Sequence, residues 1–91
     1  MKESRLNEAV WCVYIVECND GTLYTGISNN IDERIWEHNS GTGSKYTRGR
    51  RPVKLLAKRD CNDKSQASKI EYRIKRLRRK DKLRSITNGR V

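Results

Sequence analysis

The sequence predicts an α/β (α+β) domain: a small three-stranded, mostly antiparallel sheet flanked by helices, in the order β-β-α-β-α-α. Three observations lead there. The one long apolar run, Val10 to Gly26, is β-branched and aromatic with Asn-Asp-Gly at its middle, which is the signature of a hairpin. Two later segments, around 31–38 and 67–77, carry apolar residues at helical spacing. Between them a short apolar stretch follows Pro52. With 91 residues and 34% apolar composition, the chain makes one domain with a modest core.

The hairpin strands run over about 10–18 and 22–27. A two-residue loop, Asp20-Gly21, would send Tyr14 and Tyr24 to opposite faces. A three-residue loop, Asn19-Asp20-Gly21, makes opposed positions sum to 40 and puts both tyrosines on one face. Asn-Asp-Gly suits the odd-length loop, a type I turn closed by a left-handed Gly21. Gly26 then lies opposite Tyr14 and leaves space beside its ring. Trp11, Val13, Ile15, Leu23, Thr25 and Ile27 form the other, core-facing side.

Asn29 or Asn30 caps the first helix, which runs to about Asn39 with Ile31, Ile35 and His38 on its inner stripe. Arg34 and His38 are neighbours on its surface. Ser40 to Arg51 is glycine-rich, basic and expected to be flexible. Val53 to Arg59, with Leu55 and Leu56, reads as the third strand. Asp63 or Ser65 starts the second helix, whose stripe is Ala67, Ile70, Ile74 and Leu77. Glu71 edges that stripe in a basic helix expected from Lys69 to Arg84. Leu83 and Ile86 suggest a further short helical turn. The flanks, 1–9 and 87–91, read as loosely ordered tails around a core of about 10–86, with fraying from Asn88.

Lys and Arg total 21 against 11 Asp and Glu, a net charge of +10, which argues for a polyanionic partner. A solvated basic surface is the bland alternative. A membrane surface is disfavoured because the basic segments lack large apolar faces. The three cysteines, Cys12, Cys18 and Cys61, have no CxxC spacing and there is one histidine, so a zinc site is not expected. No leader or membrane-spanning run is visible, and the expectation is a cytoplasmic protein with reduced thiols.

Phosphodiester hydrolysis asks for a base to activate water, a cation to hold the phosphate, and a carboxylate to hold a divalent metal. Tyr14, Tyr24 or His38, then Arg34, then Glu71, meet that list. Each has a simpler reading. A strand tyrosine usually packs, and a lone His usually serves as a hydrogen-bonded core residue. Arg34 can pair with Glu33 or Glu37, and Glu71 with Lys75. Lys45, Tyr46, Arg48, Arg50 and Arg51 in the loop, and Arg73 and Arg76 on the helix, are candidate nucleic-acid contacts by stacking and phosphate pairing.

Cys12-Val13-Tyr14, followed by Tyr24-Thr25-Gly26, resembles the paired motif of the GIY-YIG endonuclease superfamily, and Ser40-Gly41, Lys45-Tyr46-Thr47-Arg48-Gly49 and Arg50-Arg51-Pro52-Val53 resemble its small stand-alone branch. The resemblance extends to Arg34, His38 and Glu71 and covers about residues 11–80. Cys12 stands where the motif usually has Gly, and Thr25 where it usually has Ile. The resemblance implies metal-dependent hydrolysis of DNA, with structure-selective cleavage in repair or recombination as one expectation. It implies Tyr14 as base or water-positioning group, Tyr24 as its support or a phosphate contact, and Arg34 on the scissile phosphate. His38 would assist proton transfer or orient Tyr14, and Glu71 would bind Mg²⁺ or Mn²⁺. DNA is the expected partner, with RNA an open alternative. A nucleic-acid-binding module with slow or absent catalysis is the competing function.

Overall fold

The computed structural model describes residues 10–88. The expected tail 1–9, and residues 89–91, lie outside them. Strands β1 (Cys12–Glu17) and β2 (Leu23–Ser28) form the hairpin. Their register pairs Tyr14 with Gly26 and Val16 with Tyr24, so opposed positions sum to 40 as the three-residue loop requires. The Cys18 N–H donates to the Thr22 carbonyl at 2.8 Å to close that loop, and Gly21 has φ 85°. The Asp20 carboxylate accepts from both the N–H and the hydroxyl of Thr22, which fixes the turn.

Helix α1 (Ile31–Ser40) starts at Asn30, whose side chain accepts from the Glu33 N–H. A short helix, α2 (Lys45–Arg48), follows. Strand β3 (Lys54–Asp60) pairs antiparallel with β1, giving the sheet order β2-β1-β3. Ile15 opposes Ala57 while Val16 opposes Leu55, so β3 is irregular at Leu56. Leu55 and Leu56 are exposed, and Val53 and Ala57 supply that segment's packing. Helix α3 (Lys64–Lys75), capped by Asp63, and helix α4 (Arg79–Asn88) complete the fold.

Two clusters hold the layers together. Val13 and Ile15 meet Cys61, Ala67, Ile70, Ile74 and Ile86 on the face covered by α3 and α4, with Trp11, Leu23 and Ile27 at its margin. The opposite face buries Tyr14, Val16, Cys18 and Val53 beneath Tyr24, Ile31 and Ile35. Both sheet faces are therefore covered, and alternation along β1 divides its residues between the two. The three cysteines are free and buried. No helix among the described residues is long and apolar enough to cross a membrane.

Three expectations need correction. The segment 40–51 is not one flexible loop, because Ser44 caps α2 within it. The expected helix from Lys69 to Arg84 breaks at 76–78, and Leu77 is half-buried beyond the end of α3. The break lets the chain turn so that Leu83 and Ile86 return to the core as a ten-residue helix. Consequently Asn88 belongs to α4 rather than to a frayed tail.

Candidate active site

Tyr14 lies on the central strand with its ring fully buried. Its hydroxyl oxygen is 2.8 Å from His38 Nε2, and the other ring nitrogen, Nδ1, is 2.8 Å from Thr47 Oγ1. His38 is also fully buried, in the last turn of α1. The Thr47 hydroxyl donates to the Ser44 carbonyl at 3.2 Å, so its oxygen accepts from His38. With that bond made, the proton sits on Nδ1 and Nε2 is the acceptor for the Tyr14 O–H. The donors then run Tyr14 to His38 to Thr47, ending on the Ser44 carbonyl as acceptor.

Electrostatics favour the neutral ring that this tautomer requires. Burial lowers the His38 pKa below its ordinary 6.5, with the Arg34 charge adding to the effect, so the ring is neutral near pH 7. Burial pushes the Tyr14 hydroxyl up to about 12. The Arg34 guanidinium faces that hydroxyl and opposes part of the shift. Arg34 is oriented by Glu37, which it pairs at 2.8 Å.

Tight approach makes the arrangement possible. A Cβ on Gly26 would stand 2.5 Å from the Tyr14 oxygen, and one on Gly43 would stand 2.5 Å from His38 Nδ1 and 2.9 Å from its Cα. Tyr24, beside Tyr14 on the same face, meets the His38 ring edge-on at 5.3 Å. Tyr46 stacks on Tyr24 at 5.7 Å and 27°, and the Arg50 guanidinium covers the Tyr46 ring at 4.1 Å.

Glu71, on α3, is joined to this cluster through Lys75 at the β2 edge. It pairs with Lys75 at 3.1 Å, and the Lys75 ammonium lies 6.0 Å from the centre of the Tyr24 ring. The Glu71 side chain is 22% exposed, so solvent and a ligand can reach it. Among the described residues no three His, Cys, Asp or Glu side chains cluster as a metal cage. A single accessible carboxylate fits Mg²⁺ or Mn²⁺ when phosphate and water oxygens fill most of the shell.

The other basic candidates divide. Arg50 also pairs with Asp20 at 2.9 Å and donates to the Tyr46 carbonyl, so it braces the aromatic stack. Arg51 donates to the carbonyls of Arg48 and Asn39, tying α2 to α1. Lys45 and Arg48 are exposed on α2. Arg73 lies on the outer part of α3 and Arg76 caps its C-terminus, where it donates to the Tyr72 hydroxyl. Thr47, Ser44, Gly43 and Lys75 are site residues that the sequence reading missed. The signal for the first two was Ser44-x-x-Thr47, since the Ser44 hydroxyl accepts from the Thr47 N–H as a helix cap.

The profile of the GIY-YIG catalytic domain matches residues 10–84. A UPF0213 protein of Desulfotalea psychrophila is 62% identical over 68 residues, which are 74% of this chain and 62% of that relative. A UPF0213 protein of Staphylococcus epidermidis is 49% identical over 77 residues, 85% of this chain and 94% of that one. Among solved structures, the solution NMR structure of a UPF0213 protein from Bacillus halodurans aligns with a TM-score of 0.52 at 45% identity, covering 82% of this chain and 80% of its own. Matched along nearly all of its described length, with the tyrosines of the hairpin, Arg34, His38 and Glu71 inside the matched span, the chain belongs to the GIY-YIG family.

Proposed function

We propose that residues 10–86 act as a single nuclease domain that hydrolyses DNA phosphodiester bonds with a divalent metal. The observation that carries this reading is the buried hydrogen-bond path from Tyr14 through neutral His38 to Thr47, with Arg34 facing the Tyr14 hydroxyl. A phenol held near pKa 12 is a poor base alone. Here its own proton is already directed at an unprotonated Nε2. As attacking water gives a proton to the Tyr14 oxygen, the Tyr14 proton moves to His38, whose positive charge is shared with the Thr47 oxygen. The phenolate never has to accumulate.

Arg34 holds a non-bridging phosphate oxygen and stabilises the charge that develops there. Glu37 keeps the guanidinium oriented toward the Tyr14 oxygen. Tyr24 and Tyr46, stacked on each other with Arg50 over the outer ring, wall the site. Glu71 would hold the Mg²⁺ or Mn²⁺ ion, which supplies Lewis-acid stabilisation of the phosphate when bound. Lys75 holds the carboxylate at this edge of α3.

The test is a single-turnover nicking assay on plasmid, branched and single-stranded DNA, with Mg²⁺, Mn²⁺ or chelator. Wild type should cut with metal and not with chelator. Glu71→Gln should lose metal-dependent cleavage, because a neutral amide is a poor ligand for a hard cation, while keeping its metal-free affinity for DNA. Undiminished cleavage by folded Glu71→Gln protein would remove the metal assignment. Tight binding by wild type without any cleavage would leave a binding module instead.

A further inference from the structure

A second basic feature lies on the far side of α3 from the candidate active site. The cleft between β3 and α3, about 410 Å³, is lined by Arg59, Asp63, Gln66, Lys69 and Arg73 among others. Three cations face one carboxylate there, and Asp63 already accepts from the Gln66 N–H as the cap of α3. Arg59 Nη1 is buried and has no hydrogen-bond partner among the described residues. A buried guanidinium N–H without an acceptor costs more than an ordinary unmade bond, so the position favours an anionic oxygen.

A second cleft adjoins the first and shares Lys69 and Arg73 with it, adding Ser68 and Tyr72. Tyr72 is 64% exposed, which is unusual for a ring that contributes nothing to the core. Arg76 lies against it, with its guanidinium 5.3 Å from the ring centre.

Helical geometry relates these features to the site. At 3.6 residues per turn, Ala67, Ile70 and Ile74 face the sheet, and Tyr72 lies at the opposite crest of α3. Glu71 and Lys75 flank the crest on the side of β2, where Lys75 meets Tyr24. Gln66 and Arg73 flank it on the side of β3, where Arg59 stands. One helix therefore carries a candidate metal ligand at one edge, an exposed ring on its crest and a cationic cleft at the other edge. A helix is about 10–12 Å wide, a distance that a few nucleotides of one strand can span.

We infer that the outer face of α3 binds a single-stranded nucleic-acid segment, with an unpaired base stacked on Tyr72 and a backbone phosphate in the Arg59–Lys69–Arg73 cleft. The inference rests on the nuclease reading for its direction, because the strand leaves the Glu71 edge. A paired base cannot present its face to Tyr72, whereas an unpaired one can, and base–aromatic stacking tolerates any sequence. The substrate class is then nucleic acid with an unpaired arm beside the cut, rather than uniform duplex.

The test is direct binding, in chelator, by fluorescence anisotropy of labelled poly-dT, poly-U and a duplex of equal length. Tyr72→Ala should weaken single-strand binding about fivefold or more, the low end for one stacked base, and change duplex binding less than twofold. Tyr72→Phe should restore single-strand binding, because the ring and not the hydroxyl makes the stack. Lys69→Ala should lower the salt slope of single-strand binding by about one, and Arg59→Gln likewise if its thermal melt is cooperative. A preference between poly-dT and poly-U separates the DNA strand from the RNA strand, and loss on either strand supports the inference. Equal single-strand affinity for wild type and Tyr72→Ala overturns it, as does an equal loss on duplex. The nuclease reading is judged separately by plasmid nicking: cleavage with no Tyr72 effect sinks only the inference, and a Tyr72 effect without cleavage sinks only the nuclease.

Discussion

Gly26→Ala is the substitution that reads the site's geometry most sharply. Replacing a strand glycine by alanine normally helps, by about 0.5–1 kcal/mol, because the unfolded chain loses freedom. Here the sign should reverse. The added Cβ would lie 2.5 Å from the Tyr14 oxygen and 2.7 Å from Cζ, roughly 1 Å inside ordinary van der Waals contact. The ring cannot retreat, since Tyr14 is fully buried between β1, His38 and the Val16–Val53 cluster. Overpacking of this kind costs about 1–3 kcal/mol. A shift of the ring also breaks the 2.8 Å bond to His38, leaving two buried polar atoms unpaired at about 1–3 kcal/mol each if nothing replaces them. A net loss of at least about 2 kcal/mol corresponds to a Tm lower by about 8–16 °C for a domain of this size. Thermal melting by circular dichroism measures it, and single-turnover cleavage of the folded fraction should fall with it. A Tm within a few degrees of wild type, with cleavage intact, would show that Tyr14 is not confined as described.

Two further outcomes follow from single groups. Thr25 is buried on the core face with its hydroxyl unpartnered among the described residues, so Thr25→Val, which keeps the shape, should stabilise by about 1–2 kcal/mol; a lower Tm would mean that the hydroxyl has a partner. His38 has a depressed pKa when folded, so the unfolded chain takes up the proton first as pH falls. Its contribution to stability is present above the unfolded value near 6.5 and is lost as pH falls from there toward the folded value. Cleavage should fall in the same direction, because a protonated Nε2 cannot accept from Tyr14; urea midpoints and rates at about pH 7.5 and pH 5 check both, and a rate that rises on acidification contradicts the relay.

The hairpin was legible because its loop chemistry and its two tyrosines constrain one another. Asn-Asp-Gly selects an odd loop, and an odd loop puts Tyr14 opposite Gly26. The cap at Asn30 and the stripe ending at His38 were legible for similar local reasons. The partner of His38 was not. Gly41 and Gly43 made segment 40–51 read as flexible, yet the Ser44 cap orders it and aims the Thr47 hydroxyl inward. The break between α3 and α4 has no Gly or Pro to announce it. It is imposed by tertiary packing, which outweighs the good helix propensity of Arg, Leu and Lys. The place of Glu71 beside Lys75 was readable from i, i+4 spacing, whereas the reach of Lys75 to Tyr24 depends on how α3 crosses the sheet.

The proton path through the single histidine is the centre of this account, and it can be observed without DNA. His38 is the only histidine in the chain, so its ring signals in a long-range ¹H–¹⁵N correlation spectrum need no separation from others. At about pH 7 the account predicts a neutral ring carrying its proton on Nδ1, with Nε2 at the shift of an unprotonated nitrogen that accepts a hydrogen bond. Thr47→Val should weaken that preference, since the acceptor that holds the Nδ1 proton is gone. An imidazolium ring at pH 7, or a neutral ring protonated on Nε2, would contradict the path from Tyr14 to His38 and with it the mechanism built on it.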